Sequence, residues 1–407
     1  ISIEMAQHNS LRQEIIYELD FVLSIGKKIF LYPFIGKNKI QITGYFVTLI
    51  LVLCAAIQLT LTFFSNNTDW LEITNVAPNL GVVFMTFMKY MKIHKHKKIY
   101  NEIFYHFRDE IWDIVEIRSA DHQKIIKHYK WITVCINRFL LYYSIPLTVI
   151  VDSFPYIVML YEEKFKGYRE YLYPFDGWYP FDKIKWYAAA YIWESFMTAV
   201  VVVVYSFSNM IHTSFIIFIC MELRILGSRL EELISPEDII AINEKHYADH
   251  IHHRILRDLK MLIARHDFLT KTSAKLDAIL GDAMLLNYSL GAIFICLTAF
   301  TFSVVDNLYK SIRYFLMFIA LLIDIFNQCL FGQILSDHSL NLTESIYFCN
   351  WPCANPEAKK IMLMLMMRTQ KPFELTGNGY VVMNMNTFSN ICSTSYQFFN
   401  LLRTIYF

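Results

Sequence analysis

Six stretches of the chain, about 42–64, 71–91, 131–160, 186–220, 284–305 and 311–334, are apolar almost throughout. Each reaches the roughly 20 residues that a helix needs to cross a bilayer. A seventh stretch, about 384–405, differs in kind. Its apolar residues are interrupted at steps of three or four by Asn386, Asn390, Ser393, Thr394, Gln397, Asn400 and Thr404. Wound as a helix, these polar residues share one broad stripe, while Phe388, Ile391, Tyr396, Phe399, Leu402 and Ile405 fill most of the remainder. A lone helix of this kind in lipid would leave amides in hydrocarbon, at some kcal/mol each. The stripe must therefore face either a neighbouring helix, as interhelical glue, or water in a pore built from several copies. The pattern alone leaves both open.

The segments between the spans are also helical in pattern. Residues 92–128, 222–234 and 237–280 mix charge with apolar positions at helical spacing. Ser235-Pro236-Glu237-Asp238 reads as a helix break and restart: a capping Ser, Pro in the first turn, then acids that favour a helix N-terminus. Spans four, five and six are expected to continue below the membrane and pack together there.

Composition supports a multi-pass membrane protein. The chain is 55% hydrophobic and 18% charged, with 33 Phe and 26 Tyr among its 407 residues. A net charge of +1 supplies no field for nucleic acid. The 8 cysteines are scattered and mark no disulfide framework. Residues 1–40 lack the ordered parts of a cleavable signal, so the first span is expected to direct insertion. With the N-terminus in the cytoplasm, most of the 37 Lys and Arg fall in segments 1–41, 92–130, 222–283 and 335–383. That is the cytoplasmic bias of membrane proteins, and seven spans then put the C-terminus outside. The outer loop 161–185 carries as many acids as bases. Asn66-Asn67-Thr68 offers a glycosylation acceptor at Asn66 in the first outer loop.

Other residues carry weaker chemistry. Glu194, Asp152 and Asp324 are acids within spans, and intramembrane acids are functional candidates. Asp324 is the deepest and needs a partner, for which the polar stripe of the last helix is one candidate. Lys89 and Arg138, near cytoplasmic ends, are expected to snorkel. His246, Asp249, His250 and His253 share a helical face that suits solvent better than zinc, and Cys349 and Cys353 lack a second thiol pair. No metal or cofactor is implied. Phosphate loops, nucleophile elbows and metalloprotease motifs are missing from the sequence, so no enzyme is expected.

The stretch "MMRTQKPFELTGNGYVVMNMNTFSNICSTSYQFFNLLR" resembles the C-terminal signature of the insect odorant receptor family. The matching parts are Arg368-Thr369-Gln370-Lys371-Pro372, the Gly377-Asn378-Gly379 turn, Met385-x-x-Phe388, and Thr394-Ser395-Tyr396-Gln397-Phe398-Phe399 running to Leu402-Arg403. Gln397 stands where Ser is usual and Met385 where Leu is usual. The resemblance implies an all-α integral membrane fold with seven transmembrane helices, a cytoplasmic N-terminus, an extracellular C-terminus and a cytoplasmic helical anchor region, assembled as a tetrameric channel. Residues 1–334 would form a six-helix bundle with an odorant pocket in its outer half. Residues 335–383 would form the anchor helix and turn, and 384–407 the pore-lining helix.

The same resemblance implies an odorant-gated non-selective cation channel subunit in the plasma membrane of olfactory sensory neuron dendrites. Its partner would be the odorant receptor co-receptor, joined through the cytoplasmic anchor helices. The pore and gate would use Leu401 and Ile405 as gate residues, with Gln397, Thr394, Asn390, Asn400 and Thr404 lining the path. Apolar side chains at a narrow point close a pore by dewetting. The pocket among spans two, three, four and six would offer Val83, Pro146, Val149, Ile150, Ser153, Phe154, Trp193, Phe196, Met197, Val201, Tyr314, Met317 and Phe318. Such a lining suits a small volatile apolar ligand. A gustatory-receptor-type channel and a non-conducting seven-transmembrane chemoreceptor are the alternatives.

Overall fold

Seven helices carry the seven expected spans in a computed structural model, which describes every residue except 1, 36–37, 66–69, 114, 116–118, 168–170, 176, 245–247, 306–307 and 407. In chain order the helices are α1 (Ser2–Lys28), α2 (Lys39–Ser65), α3 (Trp70–Lys95), α4 (Lys97–Tyr105), α5 (Ala120–Lys166), α6 (Tyr187–Glu231), α7 (Pro236–Asn243), α8 (Ala248–Val304), α9 (Leu308–Phe348), α10 (Pro356–Thr369) and α11 (Met385–Tyr406). A hairpin of two short strands, β1 (Thr376–Gly377) and β2 (Val381–Val382), precedes α11. Asn66 and His246 lie outside the described residues. Among the described residues, α2, α5, α6, α8 and α9 are long and apolar enough to span by composition alone.

Helix length shows where the bilayer stops mattering. α5, α6, α8 and α9 have 47, 45, 57 and 41 residues, about twice what a bilayer needs. α9 runs through residue 334 to Phe348 without a break. In α2, Tyr45, Thr48, Val52, Ala55, Leu59 and Thr62 are buried, while Val47, Ile50, Ile57, Leu61 and Phe64 are exposed. Both faces are apolar, so one packs on the bundle and the other meets lipid. α6 is the central post: nearly every residue from Ser206 to Leu226 is buried. Its small hydroxyls return to the helix, as with Ser208 Oγ donating to the Val204 carbonyl at 2.8 Å. Asn137 Nδ2 of α5 donates to Ser214 Oγ at 3.1 Å, the small-residue contact by which membrane helices approach closely.

Below the apolar zone, helix restart follows local chemistry. Ser235 caps α7 by accepting from the Asp238 amide, and Asp238 returns the bond to the Ser235 amide. Backbone and hydroxyl donors of Ser235, with Arg254, hold the Asp238 carboxyl below its ordinary range against the opposing effect of burial. Glu222 of α6, fully buried, is bound by Arg265 of α8 and by His106 Nε2 at 2.9 Å. A buried carboxylate without such partners would cost several kcal/mol.

The hairpin before α11 is pinned from both sides. Asn378 and Gly379 adopt positive φ of 53° and 78°, the left-handed conformations a tight hairpin turn demands. Asp277 of α8 accepts from the Thr376 amide at 2.5 Å, and Asn378 Nδ2 donates to Asp282 at 2.7 Å. Asp282 also pairs with Lys92 of α3. Lys92 and Asn378 together hold the Asp282 carboxyl below its ordinary range. Gly332 of α9 faces the Met383 carbonyl so closely that a Cβ would overlap the oxygen. Gly332→Ala should therefore destabilise the fold by about 3 kcal/mol, read as a fall in the thermal midpoint of the detergent-solubilised protein. Asp282→Asn should cost about 1 kcal/mol, because its pair with Lys92 is part-exposed and solvent-screened.

Candidate functional site

Bundle helices that are apolar apart from scattered polar residues enclose a cavity in the outer half. It holds about 240 Å³ and is walled by α2, α3, α5, α6 and α9. The wall is chiefly aliphatic and aromatic, which suits a small apolar molecule. A larger cleft of about 390 Å³ opens at the cytoplasmic ends of α5, α6 and α9, with Lys124, His128 and Arg224 in its wall. Its cationic lining makes it a poor host for an apolar ligand.

The roof is the loop between α5 and α6. Pro174, Phe175 and Gly177 line the cavity from above. Glu194 of α6 accepts from the Phe175 amide at 2.9 Å, the Gly177 amide at 3.0 Å and the Tyr179 hydroxyl at 3.2 Å. The Trp178 amide donates to Thr62 Oγ1 of α2 at 2.8 Å. Tyr309 and Arg313 of α9 donate to the carbonyls of Tyr173 and Pro174, at 3.1 Å and 3.0 Å. Three helices thus hold down one loop through its backbone.

The floor is charged. Lys89 Nζ of α3 donates to Asn209 Oδ1 of α6 at 2.8 Å and lies 4.2 Å from the Tyr205 ring centre. Asn209 Nδ2 donates to Asp324 Oδ1 of α9 at 3.1 Å. Asp324 Oδ2 accepts from Asn287 of α8 at 3.1 Å and from Gln328 at 2.8 Å. The ammonium and the carboxylate are joined through one amide, so neither charge is left bare in hydrocarbon. Two sequence expectations change here. Asp324 finds its partners on α6 and α8 and on its own helix rather than on the polar stripe of the last helix, which presents its amides elsewhere. Lys89 does not snorkel: it is buried, because Asn209 and Tyr205 offer it closer partners than the interface.

Of the expected pocket residues, Val83, Met197, Val201 and Met317 reach the cavity wall. Pro146, Val149, Ile150, Trp193 and Phe196 are on exposed faces. Trp193 Nε1 donates to Gln58 Oε1 at 3.0 Å beside the roof. Ser153 Oγ bonds back to the Val149 carbonyl, and Phe154 packs on Tyr309 at 5.6 Å between ring centres. Tyr314 is buried beside Arg313, and Phe318 is half-buried against the main core. On α5 the wall is instead made by Leu140, Tyr143, Ser144, Leu147, Thr148 and Val151. That face is turned about 100°, one residue of helix, from the expected one. Gln58 and Leu59 of α2 and the roof loop were not expected at all. The missed signal was neutral polarity: Gln58, Asn79, Ser144, Thr148 and Asn209 are polar residues in apolar helices, and they line the cavity together with Glu194 and Asp324, the two acids the sequence had marked.

α11 is the second candidate element. Asn384 caps it by accepting from the Thr387 amide at 2.9 Å. Thr387, Ile391 and Ser395 are buried against the bundle. Asn386, Asn390, Ser393, Thr394, Gln397, Asn400 and Thr404 are all exposed on the other side. Among the described residues, none of these seven side chains bonds to another helix; Thr404 Oγ1 bonds the Asn400 carbonyl of its own. Leu401 and Ile405 are 55% and 74% exposed.

A family model described as 7tm odorant receptor matches residues 70–396. Putative odorant receptor 92a of Drosophila melanogaster is 24% identical over 348 residues, covering 84% of this chain and 81% of that one. Odorant receptor 13a of the same fly is 21% identical, covering 85% and 83%. Odorant receptor 67a is 28% identical over a shorter match of 151 residues, 37% of each chain. The olfactory receptor OR5 of the insect Machilis hrabei, solved in complex with eugenol, shares the fold with a TM-score of 0.81 at 14% identity, over 96% of this chain and all of that one. A second structure of the same receptor gives a TM-score of 0.78. With the family model matched over most of its length, the chain belongs to the seven-transmembrane odorant receptor family.

Proposed function

We propose that this chain is a subunit of an odorant-gated, non-selective cation channel in the plasma membrane of olfactory sensory neuron dendrites. The observation that carries the reading is the exposed stripe of α11. Seven neutral polar side chains face away from their own bundle, and Leu401 and Ile405 are exposed at the outer end. In lipid that face is costly; around a shared axis of four subunits it is a wetted pore lining with an apolar gate. Neutral amides and hydroxyls stabilise hydrated cations without stripping their water, so selectivity among them is low. The subunits of the assembly, this chain and its co-receptor, are joined through α10 and the cytoplasmic helix ends.

The ligand is a small volatile held in the outer cavity under the roof loop. The Machilis receptor was solved with eugenol, a molecule of the size class the cavity suits. Val83 and its neighbours place α3 in the cavity wall, and Lys92 at the inner end of α3 meets Asp282, which binds the hairpin leading into α11. A ligand that shifts α3 therefore acts on the segment that aims the pore helix. Opening is a population shift, driven by tighter binding to the open state.

Whole-cell recording tests the reading. Volatile-evoked cation current with the co-receptor, abolished by Leu401→Arg at unchanged surface expression, is the expected result; unchanged current in that variant would sink it. Leu401→Ala should raise the current seen without ligand. Glu194→Gln keeps a single oxygen for three donors and should loosen the roof, speeding current decay after washout roughly tenfold.

A further inference from the structure

Two cavity-lining residues carry a buried polar atom without a hydrogen-bond partner among the described residues, Gln58 Nε2 and the hydroxyl of Tyr143. Asp324 is satisfied by three amides, Asn209 is used at both ends of its amide, and Glu194 takes three roof donors. Thr148 and Thr198 bond carbonyls of their own helices at 2.8 Å. Gln58 is packed against Gly177 of the roof loop and holds Trp193 through its Oε1, whereas the Tyr143 hydroxyl belongs to the α5 wall. That hydroxyl is buried, it belongs to a cavity-lining residue, and it has no hydrogen-bond partner among the described residues. Its ring is fixed by stacking on Phe139, 6.0 Å between centres and 13° from parallel. A buried hydroxyl without a partner destabilises the empty protein by roughly 1–3 kcal/mol.

Resting on the proposed odorant-binding reading, we infer that Tyr143 is the ligand's hydrogen-bond donor and that the cavity selects oxygenated volatiles, ketones, esters and aldehydes, over hydrocarbons of the same size. A phenol donates more strongly than it accepts, so its complement is a carbonyl-type acceptor. The remaining wall, with Val83, Leu147, Val151, Met197, Val201 and Met317, takes the alkyl part. A hydrocarbon fills the same volume but leaves the hydroxyl unpaired, and that difference is the source of selectivity.

The test uses methyl pentyl ketone and n-heptane as probes. Their binding to the purified full-length receptor assembled with its co-receptor is read as ligand-dependent thermal stabilisation, and current is recorded separately. The ketone should bind more tightly than heptane. Tyr143→Phe should weaken the ketone roughly tenfold, leave heptane unchanged, and leave the ligand-free midpoint equal or higher. Tyr142→Phe, on the exposed neighbouring residue, should change none of these. Heptane binding as tightly as the ketone, absence of ketone binding, an unchanged ketone affinity in Tyr143→Phe, or an equal loss for both probes overturns the assignment. Selective ketone binding without any evoked current supports Tyr143 and instead overturns the channel reading.

Discussion

A charge buried in hydrocarbon has to be neutralised close by, and that constraint organises the bundle. Lys89 on α3 is buried, and Asp324 on α9 is part-buried at the cavity floor. Asn209 on α6 links them, and Asn287 on α8 completes the carboxylate's shell. Four helices are thereby fixed at one depth, in a surrounding where apolar contact alone has little preference between a neighbouring helix and a lipid tail. Removing one member would strand the others, so the network acts as a unit.

The two ends of the cavity are built on different principles. The floor is made of side chains bonding side chains across helices. The roof is made of side chains bonding a loop's backbone, with Glu194, Thr62, Tyr309 and Arg313 as the anchors. Side-chain amides on helices keep a fixed register, whereas a loop held at separate points can be released a point at a time. The floor therefore ties helices to one another, and the roof ties a loop to three of them. Asp282 extends such ties inward, since it binds both Lys92 and the hairpin at Asn378.

Length and polarity patterns made the helices legible. The spans expected over 131–160 and 284–305 are the membrane portions of α5 and α8, and the Ser235 cap starts α7 as its sequence suggests. The stripe on α11 was readable because its polar residues recur on one face. The phase of α5 was not, because Val149 and Leu147 are equally apolar whether they face lipid or cavity. Residue type distinguishes inside from outside in water, but in a membrane only the few polar residues do so. Ser144 and Thr148 carried that information in the sequence. Lys89 was misjudged for a related reason: its position near a helix end suggested an escape to the interface, and nothing local revealed Asn209 waiting 120 residues away.

The exposed stripe of α11 also has a meaning for the cell that makes the protein. A subunit inserted by itself carries an undischarged solvation debt along one helix, visible to the bilayer before any ligand arrives. In the proposed channel, partnering hides it in water at the assembly axis. On that reading the hydration of a single helix reports whether the assembly is whole, and an unassembled chain is marked as unfinished by its own surface.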